Sequence, residues 1–66
     1  MSELYDTFVE MEGLLEEFRV EWTKDHDAGY RRKESYWQGK KDGLRIAMSL
    51  VYPFVREELT ERDQSL

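Results

Sequence analysis

No cysteine occurs in the 66 residues, and the single histidine, His26, stands where a metal site would want several ligands. Disulfide stapling and a structural zinc centre are therefore excluded as sources of stability. A chain this short buries only ~60% of the surface its unfolded form exposes. Association with a second copy or a partner is the remaining route to stability. Long apolar runs are missing too: the longest stretch without a charge is residues 46 to 55, well short of the ~20 residues that a membrane-spanning helix needs. The chain opens without a charged-then-apolar leader, so a cytoplasmic protein with no membrane partner is the expectation. Proline occurs once, at Pro53, and there is no alternating strand pattern and no internal repeat.

What is present is helical periodicity. Leu4, Phe8, Met11, Leu15, Phe18 and Trp22 are spaced by alternating steps of four and three, a heptad seam that predicts a helix over about residues 3 to 24. Ser2 is a natural N-cap, and Glu3 and Asp6 suit the positive end of the helix dipole. Residues 24 to 29, Lys-Asp-His-Asp-Ala-Gly, lose the period and hold residues that favour turns. Tyr30, Trp37, Leu44 and Val51 then recur every seven residues, which predicts a second helix over about residues 28 to 60. A capping-box reading of Ser35 to Gln38 would start it at Ser35 instead. Pro53 predicts a kink or a break within it. The expected fold is all-α, one domain over residues 1 to 66, built as an antiparallel helical hairpin that dimerises into a four-helix bundle.

Two glycines inside the second helix need a reason. Gly39, Gly43 and Ala47 advance four at a time, so they form a shallow groove that predicts close helix packing, with Phe18 and Trp22 as the side chains to enter it. Beyond the groove the apolar residues of positions 44 to 55 span an arc of roughly 200°, wider than one neighbouring helix can cover. The expected solution is a homodimer, with Leu44, Met48, Val51 and Val55 partly at its interface.

Charge is unevenly laid out around a net value of −5. Residues 1 to 30 carry nine acids against two bases, residues 31 to 45 carry six bases against two acids, and the remainder is acidic again. In a hairpin this makes the free end acidic and the turn end basic. Arg31, Arg32, Lys33, Lys40, Lys41 and Arg45 alternate with Tyr30, Tyr36 and Trp37, a composition suited to phosphate neutralisation and base stacking. The overall acidity opposes long-range attraction of a polyanion, which ranks nucleic acid below protein as a partner. Glu10 and Glu17, projecting away from the first seam, and the aromatics Tyr36, Trp37 and Tyr52 are the candidate partner-binding residues.

Catalytic chemistry finds little support. Asp25-His26-Asp27 offers an imidazole between two carboxylates, but consecutive helix or turn positions point in different directions and no further ligand is evident. Glu16, Glu17 and Glu21 lack the pocket that would separate their pKa values for acid and base roles. Gly39 to Gly43 lacks the strand and the Gly-Lys-Ser/Thr ending of a phosphate loop. No catalytic, cofactor-binding or metal-ligating residue is expected.

Two short stretches resemble known families. Trp37-Gln38-Gly39 resembles the Trp-x-Gly signature of the small secreted WXG family, which would imply a secreted helical dimer; Arg56 stands where that family carries an acid four residues after a tyrosine. Tyr36-Trp37-Gln38-Gly39-Lys40-Lys41-Asp42-Gly43-Leu44-Arg45-Ile46-Ala47 is similar to a Tyr-x-x-Gly-x-x-x-Gly-Leu-x-x-Ala pattern of small helical proteins from phages and their hosts. The second resemblance implies a non-enzymatic module that binds and inhibits a host defence or nucleic-acid-processing protein through its acidic surface. A nucleic-acid-binding module using residues 31 to 45 is the alternative from the residues themselves.

Overall fold

The computed structural model describes residues 2 to 64, and they form two helices: α1, Glu3–Asp27, and α2, Arg31–Gln64. Among the described residues there is no strand. Ser2 caps α1 from an extended conformation, its Oγ accepting a hydrogen bond from the Tyr5 N–H at 3.2 Å. The acids Glu3 and Asp6 lie in the first turn and Lys24 and His26 in the last, each at the end of the dipole that favours its charge.

α1 runs three residues beyond the expected boundary because Asp25, His26 and Asp27 continue the helix. The reversal is confined to Ala28, Gly29 and Tyr30. Gly29, at φ 77°, occupies the left-handed region that a side chain would disfavour. Its N–H donates to the His26 carbonyl at 3.1 Å, and the Tyr30 N–H donates to the Asp25 carbonyl at 2.9 Å. Those two bonds make a Schellman stop, satisfying carbonyls that α1 would otherwise leave open. α2 starts at Arg31, so Ser35 lies inside it rather than at its cap.

α2 passes through Pro53 without interruption. It is nonetheless not straight: its 34 residues would extend ~50 Å at 1.5 Å each, whereas the longest dimension of the molecule is 41 Å. The missing proline N–H and the crowding of the preceding turn locate the bend. Contacts show where the bent segment goes. Glu58 is bonded to Ser2 and Arg62 to Glu12, a pair of contacts that straight antiparallel helices cannot make together. Residues after Pro53 therefore lie across the first half of α1.

Phe8 sits beneath that crossing. With Val55 and Leu59 it forms the buried apolar core, and Tyr5, Met48 and Val51 pack around it. Each fully buried side chain of this kind contributes ~1.5 to 3 kcal/mol. The rest of the first seam, Met11, Leu15, Phe18 and Trp22, is half-buried along α2, while Leu4 is exposed. Trp37, Leu44 and Val51 of the second seam meet them, and Tyr30 stays outside.

Two expectations about packing are corrected by this arrangement. Val55 is only 1% exposed within the hairpin, so it belongs to the core and is closed to a second chain; Leu44, Met48 and Val51 are half-buried on the same α1-facing side. The glycines are corrected as well. A Cβ built on Gly39 or Gly43 would meet nothing within 4 Å, so neither admits a side chain from α1, and Ala47 alone of that series is half-buried. The physical reason lies in α2 itself: its seam of seven-residue steps faces α1, and the four-residue series of small residues drifts onto the outer side.

Candidate interaction surface

Both ends of the hairpin are closed by polar clasps. At the free end the Glu58 carboxylate accepts from the Ser2 Oγ at 2.6 Å and from the Ser2 N–H at 2.9 Å. These two bonds hold the Glu58 carboxyl below its ordinary pKa. Nearby, Arg62 donates to both oxygens of Glu12, at 2.7 and 3.3 Å, and this raises its pKa further above the ordinary guanidinium value. At the turn end the Trp37 Nε1–H donates to Asp25 at 3.0 Å, and His26 Nδ1 lies 3.1 Å from Glu34.

The aromatic side chains gather at the turn end. Phe18 and Trp37 rings lie 5.7 Å apart, Tyr36 meets Trp37 edge-on at 5.1 Å, and Trp22 stacks on His26 at 4.7 Å with their planes 8° apart. Lysines cover these rings. The Lys40 ammonium is 4.9 to 5.2 Å from the centroids of Tyr36, Phe18 and Trp37, and that of Lys41 is 4.7 Å from Trp22. Lys41 is buried because its stem lies along the helix contact while the ammonium rests on the ring face. Phe18 and Trp22 thus engage lysines and α1's own histidine instead of the glycine groove.

A shallow cleft of about 350 Å³ opens beside Phe18 and Trp37. Val20 completes its apolar lining, and Glu16, Glu17 and Glu21 border it. Glu16 is paired with Arg19 at 2.6 Å, which holds its pKa below the ordinary value, and Glu21 lies 3.7 Å from Lys24. Glu17 has no ion-pair partner among the described residues, nor do Glu3, Asp6 and Glu10 on the same outer side of α1. Four acids in a row are therefore left to water.

No protein-family model, curated protein or solved structure matches the chain. Function has to be argued from the surface alone. Among the described residues no group of three His, Cys, Asp or Glu side chains could hold a metal ion, and no helix is long and apolar enough to cross a membrane.

The residues singled out in the sequence fall into separate places. Glu17, Tyr36 and Trp37 share the turn half of the molecule, Tyr36 exposed and Trp37 half-buried. Glu10 lies further along α1, and Tyr52 packs against Phe8 with ring centroids 6.5 Å apart, ~22 Å along α2 from Trp37. Tyr52 is thus no part of the turn-end cluster. The wide apolar arc expected over residues 44 to 55 is open at Ile46, Leu50 and Phe54, which are 64%, 70% and 73% exposed, and not at the residues expected to face a second chain. The four-residue spacing of Ile46, Leu50 and Phe54 was the available signal, obscured because the same stretch carries Val55 of the core and the half-buried Met48 and Val51.

Proposed function

We propose that this chain is a non-enzymatic protein-interaction module that presents the outer side of α1 to a basic segment of a larger protein. The observation that carries this reading is the cleft beside Phe18, Val20 and Trp37, bordered by Glu17 and continued by the unpaired acids Glu10, Asp6 and Glu3. Such a surface suits an apolar side chain flanked by lysines or arginines: the cleft removes apolar area from water, and the acids supply attraction and orientation. The likeness of residues 36 to 47 to helical proteins of phages and their hosts suggests the form of the interaction, namely inhibition of a host defence or nucleic-acid-processing protein by occupying its basic site.

The alternative, nucleic-acid binding by residues 31 to 45, is weakened by the fate of its own side chains. Lys40 and Lys41 lie over rings that would otherwise stack on bases, and Arg45 is near Asp42. Lys33 likewise lies 5.0 Å from the centroid of the Tyr30 ring, so Arg31 and Arg32 are what remains of the outward basic group. The test compares parent and a double variant, Glu10→Lys with Glu17→Lys, in capture from a native-host lysate. The variant is expected to lose the captured protein while keeping its helicity, and the parent to show no DNA or RNA binding at ~0.15 M salt, where charges beyond ~8 Å are largely screened. Unchanged capture by the variant would remove the acidic face from consideration, and tight nucleic-acid binding would promote the alternative.

A further inference from the structure

α1 carries a second heptad seam on its outer side. Val9, Gly13, Glu16 and Val20 follow one another by steps of four, three and four, the spacing along which a neighbouring helix lies. Val9 and Val20 are exposed. Gly13, between them, has open space where a Cβ would be, so no contact within the hairpin calls for glycine where alanine would favour the helix. Glu16, the polar member of the seam, is bound by Arg19 of its own helix.

The charges beside this seam are divided between its two flanks. Glu3, Glu10 and Glu17 recur every seven residues along one flank, and none of them has an ion-pair partner among the described residues. The other flank holds Glu12 and Arg19, which are engaged within the chain by Arg62 and Glu16. Seven residues of helix advance ~10.5 Å, so the three free carboxylates repeat at the interval of two turns of a helix lying beside α1. An extended segment with a base at every third residue would match that interval too. It would, however, lay unpaired backbone N–H and C=O groups over the two valines, whereas a helix satisfies its own.

We infer that the occupant of this side is a basic amphipathic α-helix of the partner, laid along Val9, Gly13 and Val20 with lysines or arginines at seven-residue intervals opposite Glu3, Glu10 and Glu17. Gly13 lets the two backbones approach closely midway along the contact. Val20 also lines the cleft beside Phe18 and Trp37, so a large apolar side chain one turn from the base that faces Glu17 enters that cleft. This occupant presupposes that the outer side of α1 is the working surface, as proposed above, and gives the bound segment a shape and a spacing.

Three synthetic peptides test the occupant. The first is helical, with a leucine seam and a lysine at every seventh residue on one flank. The second has the same composition with its lysines spread around the helix, and the third repeats the first with a proline at its centre. Titration of fluorescently labelled peptide at ~0.15 M salt should show the first binding ~10-fold tighter than either of the others. Gly13→Leu should weaken that binding ~10-fold while raising the melting temperature of the free protein, since leucine favours the helix and meets open space. Equal affinities for the three peptides, no binding of the first at millimolar concentration, or unchanged binding by Gly13→Leu would each overturn the helical occupant; the acidic side would then stand or fall by capture from the lysate. Binding of all three peptides unaffected by Glu10→Lys with Glu17→Lys would overturn both readings. A dimer mass in light scattering that Gly13→Leu abolishes would assign this side to a second copy instead.

Discussion

Phe54 and Val55 are adjacent in sequence and opposite in surroundings: one is 73% exposed, the other 1%. One step along a helix turns a side chain by ~100°, enough to pass from the outer side of α2 to its contact with α1. Truncation should therefore separate them. Val55→Ala is expected to lower the unfolding free energy by ~2 kcal/mol, through lost burial and the cavity left behind. Phe54→Ala should fall within ~0.5 kcal/mol of its parent. Urea denaturation of both pairs measures the contrast. The glycines divide in the same way. Gly43→Ala should stabilise α2 by up to ~1 kcal/mol, since an added methyl meets open space and alanine favours the helix. Gly29→Ala should destabilise by ~1 kcal/mol or more, because its φ of 77° serves the turn.

At the scale of the helices, one carboxylate, Glu58, ties the end of α2 to the start of α1. Glu58 binds the N-cap residue of the other helix through side chain and backbone together, so a single proton on Glu58 weakens both bonds. Its folded pKa lies below the ordinary 4.5. A depressed carboxyl pKa contributes stability that is complete above the unfolded value and is lost as pH falls through the folded one. The parent should accordingly melt above Glu58→Gln at neutral pH, and the gap should close as pH drops below about 4.5. Persistence of the gap in acid would mean that Glu58 acts through packing and not through charge.

The helices themselves were legible in the sequence because their seams are regular: the steps of Leu4 to Trp22 and the sevens of Trp37, Leu44 and Val51 fix which sides meet. The turn was legible from Gly29 and its neighbours. What escaped was which part of α2's wide apolar arc meets α1 and which part stays open, since spacing shows how wide an arc is but not which part faces α1. Val55, expected partly at an interface with a second chain, is core, whereas Ile46, Leu50 and Phe54 are the open part. The bend at Pro53 decides this, because it carries Val55 and Leu59 across Phe8. Lys41 escaped for a different reason: burial of a lysine depends on a ring beneath its ammonium, and Trp22 comes within reach only through the fold.

At the scale of the whole molecule, the two ends are held together by different forces. The free end has the apolar core and the carboxylate clasps; the turn end has aromatic rings, cations over them and the Schellman stop. Trp22 and Trp37, the protein's two tryptophans, both belong to the turn end. Intrinsic fluorescence is therefore a reporter for that end alone, and circular dichroism at far-ultraviolet wavelengths averages over both helices. In a chain that unfolds in one cooperative step the two signals share a midpoint. Here the expected outcome of a substitution such as Val55→Ala is a backbone signal that declines before the fluorescence does, as residues beyond Pro53 detach while the rings keep their contacts. Coincident curves would instead mean that the small core and the ring cluster behave as one unit, the bent helix transmitting the loss of either to the other.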